Sequence, residues 1–154
     1  MSSMEPVSEQ SPRPAVDAGR LWAGGVATAL VAALLALAGV LIWEGVLDVE
    51  MVEPPRLEVG ESFNVQYAVT AALLALVATG LAHLLILAAP RPLTFFTWIM
   101  ALATIVGFAI PYTLDGTTEG QVATSTVNLV LGLCITSLIY TVANVTTDWQ
   151  RTAP

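Results

Sequence analysis

Lysine is absent from the 154-residue chain, cysteine occurs once, and only 11% of residues are charged. Each shortage excludes something. A soluble domain carries roughly 25% charged residues, and here the few charges are gathered into short stretches that leave long runs with none. An ordinary solvated surface cannot be built from such a chain. Five arginines against twelve acids give a net charge of −7. Without a basic patch, neither nucleic acid nor an anionic headgroup surface is an expected partner. Cys134 alone can form no internal disulfide and no Cys-rich metal site. It sits within an apolar run, as a packed thiol does. Nucleophile elbows, phosphate-binding glycine loops, paired-histidine motifs and Cys-His clusters are missing as well. No catalytic residue, cofactor or metal is therefore expected, and an enzyme working from surface acids alone would lack positioned partners.

What is present is hydrophobic sequence, 56% of the chain. About twenty apolar residues span a ~30 Å hydrocarbon core as a helix, and four segments qualify, at about 21–43, 63–89, 93–114 and 122–145. In hydrocarbon each backbone amide must bond within its own segment, so these are expected as helices. The fold class is an all-α membrane protein, a four-transmembrane-helix bundle over residues 20–145. Ser-, Pro- and Glu-rich residues 1–19 read as a disordered tail, and 146–154 as a second tail. Pro90-Arg91-Pro92 cannot continue a helix, so spans two and three should form a tight antiparallel pair. Pro111, four residues after Gly107, should kink or end the third span.

Arginine placement sets the orientation. With the N-terminus inside, Arg13, Arg20, Arg91 and Arg151 are cytoplasmic and only Arg56 is outside, which predicts both termini in the cytoplasm of a bacterial plasma membrane. Trp22, Trp98 and Trp149 then fall near the inner interface, and Trp43, Phe63, Tyr67 and Tyr112 near the outer one. A rival reading takes Ala36-Leu37-Ala38 as a signal-peptide cleavage site. Against it, the apolar run continues through Ile42.

The outer loop, 44–62, holds Glu44, Asp48, Glu50, Glu53, Glu58 and Glu61. Three readings stand. The acids could converge on a divalent cation, although the glycine-pinned calcium-loop pattern is missing. Val49 and Met51, then Leu57 and Val59 beyond Pro54-Pro55, alternate as two short strands of a small β-ribbon would. Or the acids merely keep a translocated, arginine-poor loop solvated.

Between lipid-embedded helices, small residues at four-residue spacing mark contact faces. Span one offers Gly24, Thr28, Ala32 and Ala36; span three, Thr97, Ala101 and Thr104; span four, Ser125, Gly132, Thr136 and Ala143 around Asn128. Such faces serve packing within the bundle and association with a second copy or an unidentified membrane protein equally well. Two polar side chains stand out within the spans. His83 is the only ionisable group well inside one; such groups are functional candidates, though a neutral histidine bonded to a neighbouring helix is the plainer reading. The Asn128 amide must find partners in hydrocarbon and reads as a tie between helices.

The stretches RLWAGG (20–25), HLL (83–85), PRPLTFFTWIMALAT (90–104) and VATSTVNLVLGLCITSLI (122–139) resemble an actinobacterial family of small four-helix membrane proteins catalogued only as a domain of unknown function. The resemblance implies a four-span integral membrane protein and supplies no activity or site residue. The expected function is a non-enzymatic accessory or interaction subunit partnered by the bilayer. The alternative is a small channel or transporter subunit that forms a pore by oligomerising, lined by His83 and Asn128.

Overall fold

The computed structural model describes residues 18–52 and 62–148. Most of the expected terminal tails, Arg13, Arg56, Arg151, Trp149 and the Pro54-Pro55 turn with the second half of the expected ribbon lie outside the described residues.

Helices make up most of the described chain: α1 (Ala18–Val40), α2 (Phe63–Ala88), α3 (Pro92–Ala109) and α4 (Thr118–Asp148). All four spans, with the turns that extend α1 and α3, are long and apolar enough to cross a membrane. Hydroxyls that would otherwise be stranded in apolar surroundings return to their own helix. Thr28, Thr79, Thr104 and Thr136 each donate to the carbonyl four residues back, a local bond that leaves the outer helix surface apolar.

The helix ends follow local chemistry. α1 widens into a π-helical turn at Leu41–Val46, where Leu47 N–H reaches the Ile42 carbonyl and Val49 N–H the Trp43 carbonyl. Asp48 then turns the chain away with φ at 54°, a left-handed conformation that Asp tolerates better than most residues. Pro92 opens α3, where its missing N–H costs nothing. Pro111 ends the α-helical part of that span, which tightens into a 3-10 turn at Ile110–Thr113. Thr117 caps α4, its Oγ1 accepting from Gly120 N–H at 3.1 Å.

The helices run up and down in ring order. α1 packs along α2 and α4, and α3 packs chiefly on α4. Close approach follows small side chains. Gly25 lies against Thr79 of α2, while Gly24 and Gly39 lie against Val142 and Val127 of α4. On α2 the facing stripe is Ala68, Ala71, Ala75, Ala78 and Ala82, all buried. The expected tight pairing of α2 with α3 is corrected: theirs is the loosest contact between consecutive helices. A three-residue connection fixes only the ends of two helices. Their separation depends on what lies between, and α3 buries only Phe96 and Met100.

Among the described residues there is no strand. Residues 47–52 instead lie over the end of the bundle, with the consecutive Met51 and Val52 both buried. A strand would turn one of those two side chains outward. Val52 N–H donates to Thr124 Oγ1 at 2.9 Å, and the Glu50 carbonyl lies against Gly120, where a β-carbon would collide with it.

Candidate functional site: a cleft between α2 and α3

Where α2 and α3 pack loosely, a cleft of about 440 Å³ opens between them, floored by α4. Ala78 and Leu81 of α2, Met100 and Ala103 of α3, and Leu131 and Ile135 of α4 form its apolar wall. Val52 and Leu114 stand at its acidic-loop end. Leu74, Val77, Ile99 and Ile110 on its margins are exposed, so the opening is lateral, toward the space a bilayer would fill.

A hydrogen-bonded chain crosses the cleft near the acidic-loop end. Tyr67 Oη of α2 donates to Asn128 Oδ1 of α4 at 2.6 Å, and Asn128 Nδ2 donates to the Gly107 carbonyl of α3 at 2.8 Å. The last bond has a covalent cause. In a continuing α-helix the Gly107 carbonyl would accept from residue 111, but Pro111 has no N–H. Asn128 supplies the missing donor. One residue on, Ser125 Oγ donates to the Phe108 carbonyl at 2.8 Å. A proline in one span is thus matched by two polar side chains one helical turn apart on another, which satisfies backbone groups that lipid could not.

His83 lies elsewhere, on the α1 side of α2. Trp22 Nε1 donates to His83 Nδ1 at 3.0 Å, so Nδ1 is the unprotonated nitrogen. His83 and Tyr67 are sixteen positions apart on α2, roughly 24 Å along its axis. The two polar candidates from the sequence are therefore not brought together.

The small-residue rows are placed as follows. Thr28, Ala32, Ala36, Ser125 and Ala143 are buried, Gly24 faces Val142, and Gly132 faces Thr104. Thr136 is half-buried, and Thr97 and Ala101 are exposed. The α2 alanine stripe and the Tyr67 contact were not anticipated. The stripe was there to be read in the three- and four-residue spacing of its alanines; Tyr67 was masked by its plausible place in an interfacial belt.

At the acidic end, Glu44, Asp48, Glu50 and Asp115 border a separate open depression of about 610 Å³. Among the described residues no three acids, histidines or cysteines come together in a way that could hold a metal ion. Glu53, Glu58 and Glu61, the other acids of the loop, lie outside them.

A family model described as a family of unknown function (DUF6069) matches residues 16–145. The chain belongs to that family. No curated protein and no solved structure matches it. The family assignment accordingly carries no activity to this cleft, whose chemistry rests on the DUF6069 chain's own residues.

Proposed function

We propose that the protein is a multi-pass integral membrane protein of a bacterial, and specifically actinobacterial, plasma membrane, with both termini cytoplasmic. It acts without catalysing a reaction, as an accessory or interaction subunit whose working side is the α2–α3 edge. The observation that carries this reading is the unclosed ring. α1 sets Gly24, Gly25 and Gly39 against α2 and α4, whereas α3 buries only Phe96 and Met100 and leaves Phe95, Trp98, Leu102, Ile105 and Val106 exposed on the helix that borders the open cleft. A bundle that served only itself would gain packing by closing that edge. The polar groups in the cleft are a phenol, an amide and hydroxyls that hold backbone in place, which favours binding over chemistry. The channel or transporter reading draws on His83 and Asn128. Both are engaged within the chain, at different interfaces, so it is the less supported of the two.

The experiment is site-specific photo-cross-linking in native membranes. A probe at Leu102 on α3 is expected to yield a discrete protein adduct that a probe at Val26 on the exposed side of α1 does not. Absence of protein adducts from both positions would overturn the interaction reading. Orientation is tested separately: a reporter active only outside the cytoplasm, fused at the C-terminus, should be silent.

A further inference from the structure

We propose that the α2–α3 cleft is a lipid site, occupied by one acyl chain of a membrane phospholipid whose ester carbonyl accepts a hydrogen bond from Asn128. This goes beyond the proposed function and stands whether or not a protein partner is found.

Size excludes the other occupants. A helix about 10 Å across and ~30 Å long fills on the order of 2,000 Å³, several times the cleft's 440 Å³ or so. A partner span can lie over the cleft but cannot enter it. Water would find almost no hydrogen-bonding partners along the wall of Ala78, Leu81, Met100 and Leu131. An empty cleft would forfeit the dispersion contacts of every side chain lining it. From Tyr67 to Leu81 the α2 wall runs about 21 Å, long and narrow as an extended hydrocarbon chain requires. The volume also falls in the range of small-molecule sites, about 300–1,000 Å³.

Polarity gives the occupant a direction. The polar side chains Tyr67, Thr70, Thr124 and Asn128 all line the half nearer the acidic loop, and the wall beyond is aliphatic but for the self-bonded Thr104. Asn128 has two amide protons, and the Gly107 carbonyl takes one. The second is left for an acceptor, and an ester carbonyl at the head of an acyl chain supplies one. Val52 and Leu114 at the loop end and the exposed margins at the side make the bilayer the route of entry.

Gly107 provides the test, because a β-carbon built there meets nothing within 4 Å. Gly107→Leu and Ala103→Leu should fill the cleft without straining the helices. Ala101→Leu adds the same bulk to α3 at an exposed position that does not line the cleft. The full chain is reconstituted in phosphatidylethanolamine–phosphatidylglycerol vesicles containing a phospholipid with a diazirine on one acyl chain, and adducts are mapped by mass spectrometry. Cleft residues such as Leu131 should be labelled, falling roughly tenfold in both cleft variants, as for a site weakened by ~1.4 kcal/mol, and unchanged in Ala101→Leu. Labelling spread evenly over outward faces and indifferent to Gly107→Leu would overturn the site. Cleft labelling by a diazirine free fatty acid but not by the phospholipid would overturn the assigned occupant.

Discussion

Trp22 of α1 donates its indole N–H to Nδ1 of His83 on α2, closing the α1–α2 interface near the Arg91 end. The two rings also touch, with centroids 6.4 Å apart. Interhelical hydrogen bonds in membranes average about 0.6 kcal/mol and reach about 1.7. His83→Leu and Trp22→Phe are each expected to lower resistance to unfolding in detergent by about 1 kcal/mol. The double variant should cost little more than either single one, because the pair acts as a unit. Additive losses would mean that each ring acts through other neighbours. Nitrogen NMR of the imidazole gives a second check: Nδ1 should carry the signature of an unprotonated acceptor.

The bond from Asn128 to Gly107 predicts a rescue. Asn128→Leu strands the Gly107 carbonyl and the Tyr67 hydroxyl, at about 1–3 kcal/mol for groups left unsatisfied. Adding Pro111→Ala restores an N–H at the position where the helix would offer one to Gly107. The double variant should recover part of the loss, read as a higher unfolding midpoint than Asn128→Leu alone. If Pro111→Ala brings no recovery, the account of why Asn128 stands opposite the proline is wrong.

The sequence made the four helices visible because hydrocarbon-length apolar runs admit few other structures. It was a poorer guide to where they end. α4 begins at Thr118 rather than about 122, since Thr117 can cap a helix outside the apolar segment. Hydropathy locates the bilayer-length core, not the cap. The closeness of α2 to α3 was misjudged because a short loop says nothing about the side chains further along. Asn128 was legible as a polar group needing partners, but which partners depended on Pro111 seventeen positions away, a match that only the packing of α3 on α4 creates. The fold of residues 47–52 was least legible. It is held by main-chain contacts to Gly120 and Thr124, and these leave no periodic signature in the side chains.

Gly25 and Gly80 should respond to the same substitution with opposite signs. A β-carbon at Gly25 would collide with Thr79, whereas at Gly80 it meets nothing within 4 Å. Gly25→Ala should therefore force α1 and α2 apart and cost about 1–3 kcal/mol, as overpacking does. Gly80→Ala should be neutral or stabilise by up to about 1 kcal/mol through helix propensity. Thermal unfolding of both variants in one detergent decides the matter. Equal effects would remove close packing as the reason for glycine at position 25.

Docking of the first loop on α4 can be separated from the stability of the bundle. Gly120→Ala pushes a methyl group into the Glu50 carbonyl, and Thr124→Val removes the acceptor for Val52 N–H. Gly120 lies in the first turn of α4, and Thr124 also lines the end of the cleft. Each change should release residues 47–52 while the helices hold, at a cost of about 1–3 kcal/mol to that local contact. Hydrogen exchange reads this directly: the Met51 and Val52 amides should lose protection, and amides in the middle of α1 and α4 should keep it. Loss of protection throughout the helices would show that the loop is an integral part of the bundle's stability rather than a cover laid over its end.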